Sequence, residues 1–231
     1  MSNDKMNIDD KNIISSGFES SSINKIDSDK IYVDAGQAAV IRPNGRVTQL
    51  ATDKVVGCIG LVATNTQDGS VGLVHVLANL GFSDLSEEWE TLIKPTIDSL
   101  APDGQEVEIK MFGGLYSNDN RAAGDHFVNT LTQRLESISN IKITETDIGD
   151  TPHPFAVVVD VEDASIKPAS EMVSSHDEVL KNIQTGQGQL VDMSDFTKPD
   201  IPALSFGLIY DEPIPSENNF EVSSDLDALN V

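Results

Sequence analysis

Residues Val55 to Leu80 constrain the fold more than any other part of the chain. Val55–Thr64 is apolar almost throughout and carries Gly57 and Gly60. A run of that length reads as a strand buried on both faces, and a glycine inside a strand marks a bulge or a close backbone approach. Asp68-Gly69 follows, a dipeptide suited to a hairpin turn, and Val71–Leu80 reads as the return strand. Before this pair, Ile31–Asp34, Ala38–Arg42 and Val47–Thr52 read as short strands, with a turn at Pro43-Asn44-Gly45.

Downstream, two helices stand out by period. Trp89, Leu92, Ile93, Ile97 and Leu100 share one stripe, so the spacing predicts a helix over 86–100, capped by Ser86 and kinked by Pro95. Phe127, Leu131, Leu135 and Ile138 do the same for a helix over 119–139. Glu106–Phe112 alternates as a strand and ends in Gly113-Gly114, and Ile141–Ile148 and Phe155–Val161 read as further strands. Glu171–Ile183 reads as a weaker, acidic helix and Phe206–Tyr210 as a last strand. Strands interrupted by a few helices define an α+β fold, with helices outside a sheet or pair of sheets. Strict βαβ alternation is absent, which argues against a doubly wound sheet.

Charge narrows the function. The 231 residues hold 15 Lys+Arg against 38 Asp+Glu, a net charge of −23. Phosphates would be repelled, so nucleic acid is excluded as a partner, and an anionic membrane surface is disfavoured. No apolar run is long enough to span a membrane, and the first thirty residues lack the apolar core of a secretory signal peptide. Residues 145–231 alone carry 18 acids and 3 bases. Three segments follow: a Ser-rich, disordered head over 1–30, one domain with an acidic extension over 31–195, and an acidic, largely flexible tail over 196–231. One cysteine leaves no room for an intramolecular disulfide or a Cys-rich zinc site, and no metal or cofactor is expected.

That cysteine, Cys58, lies in the first strand of the hairpin, and His75 lies in the second. A nucleophilic thiol needs a base within hydrogen-bond reach. A connection centred near Thr66 and Gln67 would set Cys58 directly opposite His75; a tight Asp68-Gly69 turn would set His75 opposite Val62. Either way parity puts Cys58 and His75 on one face. Thr52 lies an even offset before Cys58 and could orient the imidazole. The same pattern also describes a cysteine filling a core strand beside a satisfied core histidine, which is the commoner situation. His126 reads as exposed, His153 as part of a proline-flanked loop, His176 as no metal ligand, and Trp89 as core.

These residues carry a resemblance. Thr52, Cys58 and His75, His75-Val76-Leu77, Lys110-Met111-Phe112-Gly113-Gly114, Ala123-Gly124-Asp125 and Ile143–Gly149 occur in the order found in CheD-type chemoreceptor glutamine deamidases. Val56-Gly57-Cys58 is closer to the Ser-Gly-Cys of cytotoxic necrotising factor-like toxins with the same core. The resemblance implies a layered β-sandwich flanked by helices. It also implies conversion of Gln to Glu in a protein substrate: Cys58 as nucleophile, His75 as general acid and base, and Thr52 fixing the imidazole. A diverged effector or toxin made in a bacterial cytoplasm is the expectation, soluble and open to export without a signal peptide. The alternatives are a chemoreceptor-type deamidase, a non-catalytic acidic binding module docking a basic partner, and a thiol protease or N-terminal amidase with the same Cys–His chemistry.

Overall fold

The computed structural model describes residues 28–43, 45–78, 85–149 and 152–200, and the backbone of a strand over Ser205–Ile209. The Ser-rich head up to residue 27 and the acidic tail from residue 210 lie outside the described residues. Strands β1 (Lys30–Tyr32), β2 (Gln37–Ile41), β3 (Gln49–Thr52), β4 (Ile59–Asn65) and β5 (Val71–Val76) come first. A helical run follows: α1 (Ser86–Glu88), a π-helical segment (Trp89–Ile93) and α2 (Lys94–Leu100). Then come β6 (Val107–Gly113), α3 (Arg121–Glu136), β7 (Ile141–Ile148), β8 (His153–Pro154), β9 (Val157–Asp160), β10 (Ile166–Pro168), β11 (Met172–Val173), α4 (His176–Thr185) and β12 (Ser205–Ile209). The fold is α+β with mixed sheets.

Six strands form one sheet in the order β12-β2-β5-β4-β6-β7, and four form a second in the order β1-β3-β9-β10. β4 is central and antiparallel to both neighbours, while β7 and β12 run parallel to theirs. The alternation of side chains sorts the core. From β5, Val74 and Val76 point to the helices, where they meet Leu92, Leu100, Leu131 and Leu135. Val71 and Leu73 point the other way, onto Leu50 of β3 and Val157 and Val159 of β9. The two sheets therefore face each other across an apolar seam, and β4 is buried on both faces. The far side of the four-stranded sheet packs Tyr32, Ala51 and Val158 against Phe155, Val179 of α4 and Phe196.

The structure corrects several boundaries. β4 begins at Ile59, and residues 53–58 leave the sheet as an irregular segment ending in a bend. The connection between β4 and β5 is wider than a two-residue turn. Asn65 Oδ1 accepts from the N–H groups of Gln67 (2.7 Å) and Asp68 (3.2 Å), and Gly69 supplies a positive φ of 74°. Leu85, not Ser86, is the cap residue of α1. The mismatch at Pro95 is absorbed upstream: Pro95 has no N–H to donate, and a wide turn in which the Lys94 N–H reaches the Trp89 carbonyl precedes it. Part of the expected acidic helix is instead the short strand β11, because Ser175 caps the helix only at this point, accepting from the Glu178 N–H.

Leu131 is fully buried between α3 and the six-stranded sheet. Leu131→Ala is expected to lower the unfolding free energy by about 2–5 kcal/mol, read as a lower urea midpoint at unchanged m.

Candidate active site

The seam between the sheets is apolar except at one end. Thr52 ends β3 on the same face as Leu50, and His75 lies in β5 on the same face as Leu73. Each comes from a different sheet, and Thr52 Oγ1 and His75 Nδ1 share a hydrogen bond of 2.8 Å across the seam. The His75 carbonyl accepts from the Gly36 N–H at 2.9 Å, which pins the backbone of β5 beside β2. The other ring nitrogen, Nε2, is buried and has no hydrogen-bond partner among the described residues.

Burial lowers the His75 pKa from the ordinary 6.5 to about 4. The negative charges of Asp34 and Asp53 act in the opposite direction but are outweighed. The imidazole is therefore neutral at pH 7, with one nitrogen held by Thr52. Asp53 follows Thr52 directly and is buried, and it accepts a very short hydrogen bond from the Tyr32 hydroxyl. Lys54, at a φ of 59°, turns the chain back toward the first sheet, and the Val55 N–H anchors it on the Phe155 carbonyl at 3.0 Å.

Cys58 sits in the bend just before β4 and is half-buried. The residue paired with His75 is Gly60, between the two registers expected from the hairpin. Cys58 thus lies two residues from the partner of His75 and packs against the seam cluster, on the His75 face. Burial raises the thiol pKa, partly offset by a hydrogen bond that the Ala78 N–H donates to the sulfur. Thr52, Cys58 and His75 are therefore at one end of one seam. Thr52 and His75 are in direct contact, and no hydrogen bond joins Cys58 to His75.

Two close approaches seat this arrangement. At Gly60 a β-carbon would stand 2.1 Å from Cζ of Phe112, because that ring lies flat over the Gly60 backbone. At Gly113 it would stand 2.6 Å from the Cys58 carbonyl oxygen, at a φ of +101° that only glycine adopts without strain. The next residue, Gly114, donates its N–H to that same carbonyl at 2.9 Å. The Gly-Gly end of β6 is thus a seat for the cysteine-bearing bend.

Tyr32, Asp53 and Tyr116 were not picked out by sequence reasoning, and Phe112 was noted only as part of the strand end at Gly113-Gly114. Adjacency to Thr52 was the available signal for Asp53, and adjacency to Gly113-Gly114 for Tyr116. His126 is exposed, His153 is buried in β8, and Trp89 is half-buried against the helix-side core beneath the Arg134 guanidinium at 5.6 Å. Among the described residues no group of three or more His, Cys, Asp or Glu side chains could hold a metal, and no helix is long and apolar enough to cross a membrane.

Comparison with known families places the chain among the amidohydrolases, hydrolases that cut amide C–N bonds. The matching family model is that of protein N-terminal asparagine amidohydrolase, over residues 20–202, well over half of the chain. The chain belongs to this family. A search of curated proteins found no match. The family match corrects the resemblance to CheD-type glutamine deamidases and related toxins. The physical reason is visible in the structure: the motifs that carried the resemblance, above all Gly113-Gly114, answer a need for backbone clearance around the Cys58 bend, and such a need does not define a family.

Unfolding returns His75 to its ordinary pKa, so between pH 4 and 6.5 the unfolded chain binds more protons than the native one. Stability is expected to fall as pH drops through this window, His75 contributing on the order of 3 kcal/mol. Urea titrations from pH 4 to 7.5 should show this slope reduced in His75→Gln. Gly60→Ala is expected to displace the Phe112 ring and cost about 1–3 kcal/mol, measured by thermal unfolding.

Proposed function

We propose that the protein is a thiol-dependent amidohydrolase that converts the side-chain carboxamide of an N-terminal asparagine in a protein substrate to the carboxylate, releasing ammonia. The observation that carries this reading is the buried, neutral His75. Its Nδ1 is held by Thr52 and its Nε2 is unpartnered, on the sheet face that also presents the half-buried Cys58. The choice of asparagine rather than glutamine is supported by the description of the family to which the chain belongs.

The resting pair is a thiol and an imidazole rather than an ion pair, since burial disfavours charge on both. With Nδ1–H donating to Thr52 Oγ1, Nε2 carries the lone pair and acts as general base. It takes the Cys58 proton as the sulfur bonds to the carboxamide carbon, and the carbonyl electron pair moves onto oxygen. Backbone N–H groups at the Gly57–Cys58 bend hold that oxyanion. Collapse breaks the C–N bond, and the imidazolium returns the proton so that ammonia leaves. Water then attacks the thioester with His75 again as base, giving the carboxylate and the free thiol. Thr52 is a positioning residue that keeps the tautomer and the ring plane.

Peptides beginning with Asn, beginning with Gln, or carrying either residue internally separate the alternatives by mass. The expected result is a gain of about 1 Da and equimolar ammonia on the Asn-initiated peptide only, abolished in Cys58→Ala and reduced at least tenfold in Thr52→Val. Preference for a glutamine peptide would refute the substrate assignment, and full activity of Cys58→Ala would refute the chemistry.

A further inference from the structure

Tyr116 follows the Gly113-Gly114 seat by two residues, and its side chain is 8% exposed. Its hydroxyl is buried without a hydrogen-bond partner among the described residues. A hydroxyl left in that state is costly, and replacing it with hydrogen is ordinarily neutral or stabilising. Yet the surroundings make a dedicated slot for the ring. One ring edge faces Gly57, where a β-carbon would be 3.9 Å from Cδ1 and 4.0 Å from Cε1. The opposite edge lies on Gly124 of α3, where a β-carbon would be 2.1 Å from Cδ2, so any other residue there would expel the ring. The ring therefore stands between the first turns of α3 and the bend that carries the nucleophile. Beyond it opens a cavity of about 240 Å³ whose wall includes Tyr116, Asn118, Arg121 and His176.

We propose that the Tyr116 hydroxyl is the side-chain hydrogen-bond donor for the negative charge that forms at the Cys58 centre, first on the sulfur and then on the carboxamide oxygen. This rests on the thiol chemistry proposed above and adds a catalytic residue to it. Burial, with the charges of Cys58 and Asp125, pushes the Tyr116 pKa up. The phenol is therefore protonated throughout the working range, as a donor must be. The vacant hydroxyl is explained by the same assignment: its partner is charge that exists only during the reaction. Preorganised donors of this kind raise turnover because they need no rearrangement when the charge develops.

The test is Tyr116→Phe, which keeps the ring that the slot requires. Turnover of an Asn-initiated peptide is expected to fall roughly 10²-fold with little change in KM, while Tm stays equal or rises. Alkylation of Cys58 by iodoacetamide at pH 8 is expected to slow severalfold, because the thiolate loses a donor. Wild-type turnover in Tyr116→Phe would overturn the assignment. So would a loss of turnover that comes with a lower Tm and unchanged alkylation, since that traces to a misplaced ring. Where wild-type protein turns over no Asn-initiated peptide, the substrate reading fails separately. The alkylation comparison then decides Tyr116, slower supporting the assignment and equal overturning it.

Discussion

A side-chain hydrogen bond joins the two sheets at the end of a largely apolar seam. Thr52 belongs to the four-stranded sheet and His75 to the six-stranded one, and their side chains meet at 2.8 Å with both residues almost wholly buried. In such a place a polar group without a partner costs about 1–3 kcal/mol, so each requires the other. The ring is thereby held in one orientation by the packing of the whole seam, not by its own strand. Burial that strips water from the imidazole also lowers its pKa to about 4 and leaves the ring neutral at pH 7. The orientation of the imidazole and the proposed chemistry depend on this one contact, while burial sets the protonation state.

Seating the sulfur beside that ring is a matter of backbone clearance. Phe112 lies over Gly60, the residue paired with His75, and the carbonyl of Cys58 rests on Gly113 and Gly114. These contacts draw the end of β6 against the start of β4 and hold the bend that exposes Cys58. Tyr116 continues the same segment and reaches Gly57. One stretch of β6 and its exit therefore touches the central strand, the backbone around Cys58 and the wall of the adjacent cavity. A chain that leaves the sheet at residues 53–58 and returns at Ile59 presents its cysteine at the seam's mouth, half-buried and not locked inside. Such an irregular segment, held by a rigid scaffold, is where reactive side chains commonly sit.

Much of this was legible in the residues. The apolar run leading into β4, the return strand β5 and the two periodic helices follow from local patterns, since a buried face must repeat with the period of its element. Parity placed Cys58 and His75 on one face. The Gly-Gly pair stood out as the end of a strand. Local motifs in order also pointed to amide hydrolysis through a thiol, and the family match supports amide hydrolysis. They pointed to the wrong family within that chemistry. Short motifs of this kind record what is needed to seat a cysteine against a strand end, and that requirement is not particular to one family.

The sequence by itself determined the alternation that buries both faces of β4 and the stripes of the helices, and it brought one thiol and one imidazole close to one hairpin without fixing their contact. Periodicity and the two-residue repeat of a strand are properties of consecutive residues, so they can be read without coordinates. Only the tertiary structure decided the register that puts Gly60 opposite His75, the departure of residues 53–58 from the sheet, and the route by which Thr52 reaches the imidazole. Thr52 was expected to face the imidazole through its even offset from Cys58 along a regular strand, but its hydroxyl meets His75 Nδ1 from the opposite sheet. Which sheet β3 joins is set by the packing of side chains over one hundred residues apart, Leu50 on Val159 among them. No local spacing encodes that contact, because it exists only once β9, far along the chain, pairs with β3.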